Sequence, residues 1–129
     1  MQIHQSAEDY LETILMLNQR MGRVRSIDVV NELGYTKASV SIAMKKLREN
    51  GYIAVDGEGN LTLLEPGLEI AQRIYSRHRL LTHFFVQLGV DEQTAAEDAC
   101  KAEHILSEQT LEKIRESALR NDAAHPQAK

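Results

Sequence analysis

Apolar side chains recur at spacings of three and four along most of the chain. Tyr10, Ile14 and Leu17, with Leu11 and Leu15 beside them, form a stripe of period 3.6. The stripe predicts a first helix, capped by Ser6 and ending near Arg20, before Gly22. Ser26 opens a short second helix in which Ile27, Val29, Val30 and Leu33 are apolar and Gly34 is the terminator. Thr36 starts a third over 37–50, with Val40, Ile42, Ala43, Met44 and Leu47 as its expected buried face and Gly51 as its stop. The pattern then changes. Two β-prone runs, 52–55 and 61–64, flank the turn-rich insert Asp56-Gly57-Glu58-Gly59-Asn60 and predict a hairpin. Pro66 suits the first turn of a long helix that meets no breaker before about Leu88. Asp91 and Ser107 cap two more, over 91–106 and 107–120, and the polar stretch 121–129 reads as a disordered tail.

Two helices joined by Gly34-Tyr35-Thr36 make a helix-turn-helix, and the hairpin after them makes it winged. The expected fold is therefore mainly α. A winged helix-turn-helix domain over 1–65 precedes an all-helical domain over 66–120. In such a unit the second helix of the pair enters the major groove. Thr36, Lys37, Ser39, Ser41 and Lys45 lie on its polar side, Lys46 and Arg48 follow, and Arg25 and Ser26 stand at the entry to the motif. Short hydroxyls suit base edges or phosphates, and lysines suit phosphates. The plainer reading of the same residues is a solvated helix face.

Charge sharpens this picture. The 129 residues carry a net charge of −4, which argues against nucleic acid until its distribution is examined. Residues 1–16 hold three acids and no base, whereas 17–52 hold seven bases and three acids. The positive block coincides with the winged motif and gives an anionic partner a place to dock. A single cysteine cannot form an internal disulfide, no apolar run reaches membrane-spanning length, and the N-terminus has no basic segment followed by an apolar stretch. A cytoplasmic location without membrane contact is expected.

The lone cysteine lies in Cys100-Lys101-Ala102-Glu103-His104. On a continuous helix, Cys100, Glu103 and His104 share one face, where thiolate, carboxylate and imidazole converge as metal ligands. Such triplets are also common as a buried small residue beside solvated ones. His78, between Arg77 and Arg79, and the pair Asp9 and Glu12 on the first helix add further donors.

Taken in order, Asp9-Tyr10-Leu11-Glu12, the winged helix over 26–64, Arg77-His78-Arg79-Leu80-Leu81 and the run from Cys100 to Ser107 resemble the DtxR/MntR family of metal-dependent transcriptional repressors. The resemblance spans residues 5–120. It implies a homodimer that grips a palindromic double-stranded DNA operator when loaded with a divalent transition metal and controls metal uptake genes. It also implies Asp9, Glu12, His78, Cys100, Glu103 and His104 as ligands. The manganese-sensing branch has an acid where Cys100 stands, and the iron-sensing branch usually has Met where Asp9 stands. Mn²⁺ or Fe²⁺ is the expected metal, with Co²⁺ or Zn²⁺ as in vitro substitutes, because hard carboxylates accompany one soft thiolate. Thr82 and Ala96 stand where members carry Glu and His, which argues against an auxiliary site. Longer members add an SH3-like domain, for which no residues remain here. The small helical core points to Leu81, Phe84, Phe85 and Leu88 as a dimer interface, the alternative being an intramolecular core.

Two rival readings remain. A winged-helix regulator sensing an organic ligand would leave the Cys/Glu/His cluster structural. A thiol or metal-dependent enzyme fits poorly, since no oxyanion site or glycine-rich phosphate loop accompanies Cys100. No organic cofactor is expected.

Overall fold

A computed structural model describes residues 5–124, which divide into two compact units between Arg73 and Ile74. The first contains α1 (Gln5–Met21), α2 (Ser26–Leu33), α3 (Lys37–Glu49), β1 (Ile53–Val55), β2 (Leu61–Leu63) and the opening turns of α4 (Glu65–Gln87). The second contains the rest of α4, α5 (Glu92–Ala102) and α6 (Glu108–Ala124). The mainly helical architecture with one hairpin after a helix-turn-helix is the one expected. Among the described residues no helix is long and apolar enough to cross a membrane.

In the first unit Tyr10, Leu11, Ile14, Leu15 and Leu17 of α1 are buried with Val29, Val40, Met44 and Leu47. Ser6, expected as a cap, already lies within α1. The cap of α2 is Arg25 rather than Ser26, and its backbone N–H donates to the Asp28 carboxylate at 2.9 Å. Gly34 closes α2 in the left-handed region at φ 72°, donating to the Val30 carbonyl at 2.8 Å. Thr36 caps α3 as expected, its hydroxyl accepting from the Ser39 N–H at 3.1 Å.

Ile42 departs from expectation. Val40, Met44 and Leu47 form the buried stripe of α3, whereas Ile42 is 58% exposed. At about 100° per residue, Ile42 points roughly 200° away from Val40, onto the opposite side of the helix.

The wing pairs Ile53 with Leu63, Ala54 with Thr62 and Val55 with Leu61, antiparallel. At its tip the Asp56 carboxylate accepts from the backbone N–H of Glu58 and Asn60, each at 2.9 Å, and from the Asn60 side chain at 3.0 Å. The base of the wing is tied to the chain before α2, where the Leu61 N–H donates to the Val24 carbonyl at 2.7 Å. Gly67 closes the unit. A Cβ there would lie 2.2 Å from the Tyr52 carbonyl oxygen and 3.3 Å from Leu11, so only glycine lets α4 start this close to the hairpin and α1.

The second unit has a smaller core, in which Leu80, Phe85, Ala102, Leu106 and Ile114 pack around Leu81, Ala99 and Leu111. Leu81, expected at a dimer interface, is fully buried inside this core and is therefore corrected to an internal packing residue. Phe84 and Phe85 are half-buried, and Leu88 is exposed. Asp91 and Ser107 cap α5 and α6 by accepting from Thr94 and Thr110 N–H groups, at 3.1 and 3.2 Å. The helix expected over 91–106 ends earlier, at Ala102, where the chain tightens into a turn in which the Ile105 N–H donates to the Ala102 carbonyl three residues back at 3.1 Å. At the other end of the unit, residues 121–124, expected in the tail, are helical. There Asp122 accepts from Gln87 at 2.9 Å and contacts His83 Nε2 at 2.9 Å, while Asn121 donates to Gln87 at 3.2 Å. The remainder of the expected tail, 125–129, lies outside the described residues.

Candidate metal centre and nucleic-acid interface

The last turn of α5 and the bend that follows carry the Cys100–His104 cluster. The early helix end changes its geometry: Cys100 lies on α5, Glu103 is its C-cap, and His104 falls in the turn beyond. The three do not form a single helical face, yet the bend brings both imidazoles of the predicted set to Glu103. The Glu103 side chain is fully buried. Its Oε2 lies 3.0 Å from His78 Nδ1 on α4, and its Oε1 lies 3.5 Å from Nε2 of His104, whose side chain is only 2% exposed. Cys100 is exposed, with its Sγ within 4.8 Å of a Glu103 carboxylate oxygen.

One atom in this cluster is unsatisfied. Glu103 Oε1 is buried and, among the described residues, has no hydrogen-bond partner. A buried carboxylate oxygen left in this state is costly, on the order of 1–3 kcal/mol or more for a charged group. The neighbours are of the type that completes a cation site: His78 Nδ1 is engaged by Glu103, leaving Nε2 as the nitrogen not used in that contact. Carboxylate, two imidazoles and a nearby thiol are a donor set that suits a divalent transition metal.

The backbone around Glu103 is also fixed. Its N–H donates to the Ala99 carbonyl at 2.9 Å and its own carbonyl accepts from Arg77 Nη1 at 3.2 Å. Arg77 in turn forms an ion pair with Glu108 at the start of α6. Sequence reasoning missed this residue as part of the site, although its place directly before His78 on α4 was the available signal. The Thr82 hydroxyl donates to the His78 carbonyl at 2.8 Å, a local use that leaves its hydroxyl hydrogen engaged within α4. Asp9 and Glu12, one turn apart on α1, belong to the first unit. Asp9 is half-buried and Glu12 is 6% exposed, an unusual place for a carboxylate.

The candidate nucleic-acid face lies on the first unit. Thr36, Lys37, Ser39, Ser41, Lys45 and Lys46 are all exposed along α3, and Arg25 is exposed with Ser26 half-buried at the start of α2. The Thr36 and Ser39 hydroxyls bond each other at 2.9 Å, so the N-terminal turn of α3 is held rigid by the cap. Arg25 is additionally bridged to Asn60 of the wing, and its guanidinium lies 3.4 Å from where a Gly59 Cβ would stand. That glycine, at φ 85°, lets the arginine lie against the turn. Two other basic residues are engaged: Arg20 with Glu32 at 2.7 Å and Arg23 with Glu58 at 3.9 Å.

Both units match known sequence families. Residues 2–61 match the iron dependent repressor, N-terminal DNA binding domain, and residues 64–126 match the iron dependent repressor, metal binding and dimerisation domain. The chain belongs to the iron-dependent, DtxR/MntR repressor family. Members of this family are metal-dependent transcriptional regulators rather than enzymes. Within it, the chain is 37% identical over 113 residues to an uncharacterized HTH-type transcriptional regulator of Methanocaldococcus jannaschii, covering 86% of this chain and 90% of that one. It is 34% identical over 109 residues to the HTH-type transcriptional regulator MntR of Bacillus subtilis, covering 84% and 77%. A solved manganese-dependent transcriptional repressor in complex with manganese superposes with a TM-score of 0.79 at 27% identity, covering 87% of this chain and 52% of that one. T. acidophilum IdeR shares the fold, with a TM-score of 0.79 at 22% identity, covering 91% and 55%. The chain thus spans about half the length of these solved family members.

Proposed function

We propose that this member of the repressor family binds a palindromic operator as a homodimer when loaded with Mn²⁺ or Fe²⁺, and so controls metal uptake genes in the cytoplasm. The observation that carries the reading is the buried Glu103 carboxylate between two imidazoles in a chain that also bears a winged head. Asp9, Glu12, His78, Cys100, Glu103 and His104 would hold the metal. When bound, it supplies the positive charge that these carboxylates otherwise lack.

The ligands are divided between α1 and the second unit, so neither half is complete alone. Like-charged carboxylates repel one another, so a bound cation would be what lets them share one site. Arg77 and the α5 cap hold Glu103 in place in either state. Phe84, Phe85 and Leu88 supply an apolar surface for a second copy, and two heads then present α3 to successive major grooves. Arg25, Lys37, Lys45 and Lys46 meet phosphates, while Ser26, Thr36, Ser39 and Ser41 meet base edges or the adjoining backbone.

The test is duplex binding by the purified protein, with sequences selected from a randomised pool, in chelator and in Mn²⁺. Binding at least about 100-fold tighter in Mn²⁺, lost in Glu103→Ala, is expected. Equal affinity in both conditions would refute metal dependence, and no duplex binding in either would refute the repressor reading.

A further inference from the structure

Ile42 occupies the centre of the outward face of α3 and takes no part in the core of its own unit. Its neighbours on that face are Ala38 one turn before it and Lys45 and Lys46 one turn after it, all exposed. Ile42 lines a hollow with Ala7 and Tyr10 of α1 along one edge, and more than half of its surface stays open to a partner. We propose that Ile42 is a specificity-determining residue that reads the C5-methyl group of a thymine in the major groove. The proposal rests on the reading of α3 as the recognition helix.

The chemistry leaves few alternatives within the groove. Isoleucine carries no donor or acceptor, so it cannot read the N7, O6, N4, N6 or O4 positions that distinguish most base edges. The one apolar feature presented there is the thymine methyl. Lys45 and Lys46 lie within one turn of Ile42 and favour its approach to a polyanion, while they disfavour an apolar protein partner on the same face. Ser39 and Ser41 flank the isoleucine and reach the edges of neighbouring base pairs. The face therefore combines one apolar reader with short polar groups and phosphate contacts.

The experiment uses the full chain loaded with Mn²⁺ and the duplex preferred in a randomised selection. Each thymine is replaced singly by deoxyuridine, which removes only the methyl group. At one position in each half-site the parent should lose roughly fourfold in affinity, the effect of exposing about one methyl-sized group. Ile42→Ala should bind the thymine and uracil duplexes equally, and Ile42→Val should retain part of the discrimination. Circular dichroism of both variants should match the parent, since the position is outside the core. A parent indifferent to every uracil, or an Ile42→Ala variant that keeps the full uracil penalty, would overturn the proposal while leaving the repressor reading intact. A change in oligomeric state of Ile42→Ala with no uracil effect in the parent would assign the face to a protein contact and also overturn it. Absence of any duplex binding by the parent would overturn both.

Discussion

In the first unit the buried positions are filled mostly by large apolar side chains from α1, α2, α3 and the hairpin, with Glu12 and Thr13 of α1 among them. In the second, alanines at 95, 99 and 118 take up much of the burial, with a charged Glu103 among them. Both units leave large apolar groups exposed, Met21, Ile27, Tyr35, Ile42 and Leu64 in the first and Val86, Leu88, Ile105 and Leu119 in the second. The head thus has the composition of a domain that folds on its own contacts. The helical unit has a thin core and a buried Glu103 oxygen without a hydrogen-bond partner among the described residues, a composition that fits the proposed completion by a cation and a second copy.

The largest expected effect comes from removing one of the few large residues in the thin core. Leu81→Ala should cost about 2–5 kcal/mol of unfolding free energy, independent of protein concentration, as measured by urea denaturation. Leu88→Ser should behave in the opposite way, leaving unfolding of the isolated protomer unchanged and weakening self-association by sedimentation. If Leu81→Ala dissociated a dimer without loss of protomer stability, the assignment of core and surface would be reversed. In the head, Gly67→Ala should cost about 1–3 kcal/mol, because the added methyl meets the Tyr52 carbonyl, a backbone atom that cannot swing aside. An unchanged denaturation midpoint would mean that α4 can shift along the hairpin.

A smaller, qualitative effect is expected from Cys100→Glu, which replaces the soft donor with a hard one and should move relative affinity from Fe²⁺ towards Mn²⁺ in anaerobic titrations. Unchanged preference would remove Cys100 from the ligand set. The smallest concerns the wing. The Asn60 side chain, followed by backbone N–H groups at the turn, holds the Asp56 carboxyl below its ordinary value. With the folded value lowered, the turn is stabilised above the ordinary carboxylate range and loses that contribution as pH falls through the lowered value. Wing amide resonances followed by NMR should broaden or shift on acidification in the parent and be pH-independent in Asp56→Asn. Identical acid profiles would exclude the carboxylate as the cause.

Much of this architecture was legible because local chemistry and global fold agree. Thr36, Asp91 and Ser107 cap the helices they were expected to cap, glycines at 34 and 51 stop them, and the turn over 56–60 makes the wing. The Cys100–His104 run was recognisable as donors, but its shape was not. Periodicity alone extends α5 to Leu106, whereas the turn after Ala102 is a backbone feature that leaves no compositional mark. Ile42 was misplaced because apolar character was read as burial, although its angular position opposes Val40. Leu81 was misplaced for a related reason: an apolar residue on a long helix does not reveal which neighbour covers it. The helical state of residues 121–124 depends on His83 and Gln87, partners more than thirty positions away in the chain, which a local reading of a polar segment cannot supply.

The most direct measurement is the thermal stability of the parent and Glu103→Gln, each in chelator and in Mn²⁺. The variant keeps the shape of the side chain and removes its carboxylate. It should melt at a higher temperature than the parent in chelator, because a buried carboxylate with one oxygen lacking a hydrogen bond has been replaced by a neutral amide. In Mn²⁺ the order should reverse, with the parent gaining strongly and the variant little. A variant less stable than the parent in chelator, together with an undiminished response to Mn²⁺, would contradict the account.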